Sequence, residues 1–424
     1  MKRIFIIAFW ALMLGAGCTH SGEELFSGGP EDPGEPPPAS TRLLPSDLEY
    51  QGAFRLPRDT SGDTWEWSGV AGGLAYRSDG NAGGEADGYP GSLYATGHAW
   101  RMQVAEFSIP APAVPVNGNP DLLPMAVTLQ DFHPVPGRLV AVENLEIMRA
   151  GLEYLPPGVA GNGARLFFCW AEHFQADGYS HGSCDPDLSV PAVYGPWRID
   201  GLRIYAVNDY LFRIPKEWSA QNAPGRYLAT GRFRDGGWSG QGPALIALES
   251  GGFNQVPAPG AALNGKPLIL YTSSEDPADD AYTMDEYHHS DEWTGGAWID
   301  FKHFRAVVFV GTKGRGNCWY GDRDGPCLDC RGERGWWSDR FEGGILFYDP
   351  QALAEVARGE KPPHAPQPYA FKVVDHRLLH ISSEQQWHHL GPCAWDGIRG
   401  ILYIAEPFSE GDRPIIHVWK VDNP

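Results

Sequence analysis

Trp387-His388-His389-Leu390-Gly391-Pro392 sets an indole before a Gly-Pro step, and the run Cys393-Ala394-Trp395 follows at once. Three other stretches share this grammar: Trp67-Ser68-Gly69-Val70-Ala71-Gly72-Gly73, Trp238-Ser239-Gly240-Gln241-Gly242-Pro243 and Trp293-Thr294-Gly295-Gly296-Ala297. Spaced self-similarity marks a repeat architecture. Adding Gly151-Leu152-Glu153-Tyr154-Leu155, which lacks the indole, makes five Gly-started strands. Each precedes a second apolar run, at 92–97, 166–170, 268–271, 306–311 and 401–404. Third strands read at 103–110, 210–215, 344–350 and 415–421. A small antiparallel sheet cannot bury both faces alone, so such units stack around an axis. Glycine suits the innermost strand, where backbones crowd that axis. The chain therefore reads as all-β, a five-bladed β-propeller with long inter-strand insertions. A sixth or seventh blade has room only in 125–142 or 208–233. The run Tyr50-Gln51-Gly52-Ala53-Phe54-Arg55-Leu56-Pro57 has no Gly-rich step of its own and is expected to close the ring against the C-terminal blade. A two-sheet sandwich is the competing fold, but it gives no reason for the repeated Trp-Gly step.

Composition agrees. With 53 Gly and 37 Pro the chain is heavily punctuated, and the best helical segments, 216–221 and 351–359, are short. Short strands between Gly/Pro turns indicate an all-β body. There are 33 basic and 53 acidic residues, a net charge of −20. Nucleic acid and anionic lipid surfaces need a basic footprint, so neither is an expected partner. The body is expected to be a monomer.

Residues 1–17 read as an export signal. Lys2 and Arg3 precede the apolar run 4–14, and Gly15-Ala16-Gly17 leads to Cys18. The apolar run is shorter than the about 20 residues a membrane span requires. This ending resembles the lipobox of bacterial lipoproteins, with Leu14 one place early and Gly15 in its slot. The resemblance implies lipid on Cys18, attachment to a membrane of the bacterial cell envelope, and a periplasmic or surface location. Residues 18–46 are rich in Pro, Gly and Glu and too poor in apolar residues to fold, so they read as a tether. Residues 47–424 then form one propeller domain. Beyond Cys18, six Cys remain, and an even number in an exported chain suggests disulfides. Cys169 and Cys184 flank one loop and form the expected pair. Cys318, Cys327, Cys330 and Cys393 cannot be paired from sequence, and one CxxC without a second argues against zinc.

In a propeller the inner strands begin where loops converge at the channel mouth, which is the default ligand site. Trp67, Trp238, Trp293 and Trp387 would stand there with Gln241, either packing between blades or lining an aromatic surface for a glycan or a protein partner. The second blade departs from the pattern with Glu143-Asn144-Leu145-Glu146-Ile147-Met148-Arg149. Glycoside hydrolysis needs two carboxyl groups across the scissile bond, and Glu146 with Asp291 or Glu292 is the candidate pair. A lyase would instead use His388 as base, with Arg149 gripping a uronate carboxylate. Loop 275–292 holds eight carboxylates, which suits calcium or merely a solvated acidic loop. No other cofactor or metal is expected. Insertion 313–340, with Trp319, Tyr320, Trp336 and Trp337, reads as a disulfide-braced cap over one end of the ring.

The strand-and-step pattern beyond residue 47 resembles bacterial β-propeller lipoproteins of unassigned role. At the level of fold alone it is similar to the five-bladed propeller glycoside hydrolases. No catalytic motif of those enzymes matches residue by residue, so the resemblance implies a glycan-facing propeller and assigns no site residue. A binding or scaffold module, with a glycan-cleaving enzyme as the alternative, is the reading that results.

Overall fold

The structure is a computed structural model that describes residues 41–58, 65, 72–97, 102–135, 139, 149–159, 163–171, 178–232, 240–249, 256–273, 282–321, 335–383 and 386–421. Strands β1 (Thr41–Arg42) and β2 (Leu48–Arg55) come first. Blade one is β3 (Leu74–Arg77), β4 (Ser92–Thr96), β5 (Gln103–Ser108) and β6 (Thr128–Pro134). Blade two holds β7 (Arg149–Leu155), β8 (Arg165–Ala171), β9 (His181–Cys184) and β10 (Val193–Ile199). Blade three is β11 (Tyr210–Arg213), β12 (Leu228–Gly231), β13 (Leu245–Leu248) and β15 (Gly265–Ile269), while β14 (Ala262–Leu263) joins the edge of blade two. Blade four is β16 (Glu292–Phe301), β17 (Phe304–Tyr320), β18 (Trp336–Tyr348) and β19 (Ala370–Val373), with β1 beside β17. Blade five is β20 (Cys393–Asp396), β21 (Ile401–Glu410), β22 (Arg413–Val421) and, outermost, β2. The short helices α1 (Lys216–Asn222) and α2 (Pro350–Ala357) fall where the sequence suggests them.

Strands β3, β7, β11, β16 and β20 pack one against the next in a closed circle. This is a five-bladed propeller. The approach at the hub explains the Gly-rich steps. A Cβ on Gly73 would lie 2.5 Å from the backbone N of Leu152, and one on Gly295 would lie 2.7 Å from that of Cys393. Segments 125–142 and 208–233 contribute β6, β11 and β12 to existing blades, and no further blade stands among the described residues. Strand β2 pairs with β22 from Leu48↔Val421 to Arg55↔Ile415, so the ring closes by joining the first long strand to the last.

Each blade is apolar on both faces, and one cluster fills each junction. Tyr94 meets Leu152 and Phe168 between blades one and two. Phe167 meets Leu211 and Ile246 between two and three. Tyr210 meets Phe309 between three and four. Val308 meets Leu402 and Trp419 between four and five. Phe107 meets Tyr403 and Val418 between five and one. Neighbours such as Phe167 and Phe168 face different junctions, as the two-residue period of a strand requires.

Two expectations are corrected. The inner strand of blade three is β11, not the strand after Gly242, which is third in its sheet. The 210–215 run therefore opens its blade, and the Trp238–Pro243 step belongs to the connection between second and third strands. Cys169 and Cys184 form no disulfide and are both buried free thiols. Cys169 stands opposite His181 and Cys184 opposite Leu166. An offset of three residues separates them by about 10 Å along the strand and turns them to opposite faces, beyond the about 7 Å a disulfide tolerates. Cys184 accordingly sits between blades one and two, and Cys169 between two and three.

One buried carboxyl makes the fold sensitive to pH. Glu153 on β7 is 8% exposed, and Arg213 on β11 lies 3.5 Å away. Burial pushes its pKa up to about 7, with Arg213 opposing the rise. The native state then holds a proton that the unfolded chain, with its carboxyl near the ordinary value, has released. Stability falls as pH rises from about 4.5 through about 7 and levels off above. Glu153→Gln is expected to be more stable than wild type at pH 8 by up to about 3 kcal/mol, with the gap closing near pH 5. Urea unfolding at both pH values measures it.

Candidate functional site

The inner strands start around a narrow cleft with room for little more than a water molecule, lined by Gly73, Gly151, Asp209, Thr294, Gly295 and Cys393, among others. Backbone fills most of this hub. The Thr294 hydroxyl donates to the Leu390 and Gly391 carbonyls at 3.0 and 2.8 Å, tying blade four to blade five there. The candidate surface lies to one side. Strand β16 pairs with β17 only as far as Glu292↔Thr312. Strands β17 and β18 continue beyond it, through Lys313↔Glu342 to Tyr320↔Trp336. Within the 313–340 insertion, residues 313–320 and 336–340 thus form a two-stranded hairpin stem that projects from the end where the inner strands begin. Cys318 carries no disulfide among the described residues, and Cys327 and Cys330 lie outside them.

An ion pair holds the base of the hairpin. Lys313 Nζ donates to both oxygens of Asp291 at 3.0 Å. The two side chains are 3% and 0% exposed. Asp291 also accepts the backbone N–H groups of Gly314 and His288. Burial holds its pKa above the usual carboxylate range, with Lys313 pulling the other way.

The hairpin presents two aromatic faces, because Trp319 stands opposite Trp337 and Tyr320 opposite Trp336. On one face Trp337 stacks on Trp387 at 4.1 Å, with ring planes 13° apart. Trp319 and Phe341 pack against the same cluster. On the other face Trp336 stacks on His289 at 4.2 Å, and Tyr320 sits edge-on to Trp336 at 5.5 Å. Tyr320 is 60% exposed, and Trp336 is half-buried.

Segment 374–391, which crosses from blade four to blade five, is fastened by histidine–carboxylate contacts. His388 Nδ1 lies 2.8 Å from Glu292 Oε2. His389 Nδ1 lies 2.8 Å from Asp375 Oδ1, and its backbone N–H donates to Thr312 Oγ1. Glu406 accepts the backbone N–H groups of Leu379 and His380 through one oxygen. Its other oxygen meets His417 Nε2 at 2.7 Å, and His417 Nδ1 meets the Tyr50 hydroxyl at 2.9 Å. Burial pushes the Tyr50 phenol up, so Tyr50 meets His417 as a neutral hydroxyl. Phe408 stands between His380 and His388, with ring centroids 6.0 and 6.4 Å away.

The structure thus brings Glu292, His388 and Trp387 together beside the hub. Asp291 is adjacent in sequence but faces Lys313 instead. Trp293 is 1% exposed and packs between blades three and four. Gln241, 5% exposed, lies in the second-to-third-strand connection of blade three, with its backbone N–H bonded to the Thr272 carbonyl. Arg149 opens β7, but its side chain is not described. Trp67, Trp238, Glu146 and Cys18 lie outside the described residues. So do residues 274–281, with four of the eight carboxylates of the acidic loop 275–292, and among the described residues no group of three or more His, Cys, Asp or Glu side chains is placed to hold a metal. Asp375, Glu406, Phe408 and His417 are the members that sequence reasoning missed. No local motif marks them; only their contacts across the blade junction do.

No family model matches the chain. No curated protein matches it. Among solved structures it is similar to the crystal structure of the Myceliophteria thermophila Cps50 (Swd1) beta-propeller domain, at 11% identity and a TM-score of 0.26, over 88% of this chain and all of that one. A likeness of that size says nothing about ligand or activity.

Proposed function

We propose that this chain is an exported, lipid-anchored binding module that takes a glycan on the aromatic rim between blades four and five. One observation carries the reading: the exposed and half-buried rings of Tyr320, Trp336 and Trp387 stand on the two faces of one projecting strand pair, and His388, held by Glu292, stands beside Trp387. Flat rings take the apolar side of a sugar, and pre-positioned polar groups take its hydroxyls at little entropic cost. The backbone-filled hub supports a shallow rim over a deep pocket. Glu146, the expected partner of Asp291 or Glu292 in a glycosidase pair, lies outside the described residues, and Asp291 is itself buried against Lys313.

Glycan arrays followed by calorimetry test this. Tyr320→Ala and Trp336→Ala should each weaken the best ligand by about tenfold or more, the usual cost of truncating an aromatic anchor, with unfolding midpoints near wild type. Unchanged affinity in both variants overturns the reading. The anchor is tested separately: Cys18→Ala should release the protein from the membrane fraction. Among the described residues no helix is long and apolar enough to cross a membrane.

A further inference from the structure

Glycan binding does not account for the chemistry of one pair on this rim. The Glu292 side chain is 1% exposed, whereas that of His388 keeps 20%. A carboxylate against Nδ1 takes the Nδ1–H and selects the tautomer whose Nε2 carries the lone pair. Among the described residues His388 Nε2 has no hydrogen-bond partner, and its ring is flanked by Trp387 at 5.9 Å and Phe408 at 6.4 Å. A carboxylate-oriented imidazole, apolar on its flanks and open at Nε2, has the parts of a general base and its orienting group.

We propose that His388 is a general base, that Glu292 is its positioning residue, and that the site hydrolyses an acyl ester on the glycan it binds. The proposal rests on the glycan-binding reading and names its substrate class. The surroundings select the reaction. Proton abstraction beside a uronate needs a cation on the uronate carboxylate. Among the described side chains the cations at this rim are occupied, Lys313 on Asp291 and Arg315 and Arg340 on Glu342, and the Arg149 side chain is not among them. Glycosidic cleavage needs a second carboxyl group, and among the described residues the neighbouring Asp291 has both oxygens already bonded. Attack of water on a neutral ester needs one base and no substrate charge. Nε2 takes a proton from water as the water oxygen bonds to the acyl carbon. The bond from that carbon to the sugar oxygen then breaks, and the imidazolium returns its proton to the sugar oxygen. Water and ester become carboxylic acid and sugar hydroxyl, with no other reactant.

The test incubates the full chain with O-acetylated xylo-oligosaccharides, and separately with 4-methylumbelliferyl acetate, and follows acetate release while calorimetry follows binding. Wild type should release acetate from the oligosaccharide. His388→Ala should lower kcat by about 100-fold or more, bind the oligosaccharide nearly as well, and regain activity when free imidazole is added. Glu292→Gln should lower kcat with little change in KM, which a merely structural role would not produce. Wild type that binds the acetylated glycan but releases no acetate overturns this inference and leaves the binding reading standing. So does a His388→Ala variant as active as wild type. Acetate release from the small ester with no glycan bound has the opposite consequence, supporting the base and overturning the glycan reading.

Discussion

Lys313→Met is expected to destabilise the protein by about 3–5 kcal/mol, because it strands a carboxylate in the interior. Asp291 has no exposed side-chain surface. Met matches the length of the Lys stem but removes the charge that both Asp291 oxygens accept from. Two backbone N–H groups, from Gly314 and His288, remain and cannot replace a cation. The deficit should grow with pH. The Asp291 pKa is already raised by burial, so the native state holds its proton to a higher pH than the unfolded chain does. Removing Lys313 widens that difference, and the loss becomes smallest in acid and largest at neutral pH. The double variant Lys313→Met with Asp291→Leu should recover much of the stability, since a buried ion pair is often worth no more than an apolar pair of similar volume. Urea unfolding of the two single variants and the double variant forms the cycle. A single variant within 1 kcal/mol of wild type at pH 7 would show that water reaches this pair. Because the pair anchors the base of the hairpin, the single variant should also lose affinity for the rim ligand.

The second large effect is at the hub. Gly73→Ala should cost about 3 kcal/mol or prevent folding, at the upper end of overpacking penalties. The added methyl would sit 2.5 Å from the Leu152 backbone N and 2.9 Å from the Gly151 carbonyl carbon. Those are backbone atoms of the next inner strand, so no side chain can rotate away. Blades one and two would have to separate, and in a closed ring a displacement at one junction strains the others. Gly163→Ala is the control. No atom lies within 4 Å of its Cβ position, so it should be close to neutral. Thermal unfolding of both variants decides. A Gly73→Ala protein as stable as the control would mean that the inner strands are looser than the hub geometry requires.

Much of this architecture is legible in the sequence. Runs such as Leu166-Phe167-Phe168-Cys169-Trp170 are apolar at every position because both faces of a blade are covered. That pattern, with a Gly-rich step before it, is local and survives without coordinates. The closing role of β2 is legible for the same reason, as a strand with no step of its own. What misled was register. The Trp238–Pro243 step looks like the others, but it follows β12 rather than opening a blade, since Tyr210 already fills the hub position in blade three. The expected Cys169–Cys184 bond failed similarly. Proximity in sequence says nothing about which face of a strand a side chain takes, and an odd offset separated them.

The candidate site was legible only in fragments. Glu292, His388 and Trp387 stand out as residues near a repeated step, and Tyr320 and Trp336 as aromatics in an insertion. That Glu292 would meet His388, 96 residues away, depends on how blade four abuts blade five. Alone, then, the amino-acid order determined that the chain makes apolar two-faced strands, that glycine opens most inner strands, and that the ends join. These are consequences of periodicity and of backbone crowding, which act within a few residues. Only the tertiary structure decided that Asp291 would take Lys313 while its neighbour took His388, and that the aromatic hairpin would stack on Trp387. Those choices belong to side chains from different blades, whose meeting is set by the packing of whole sheets around the axis.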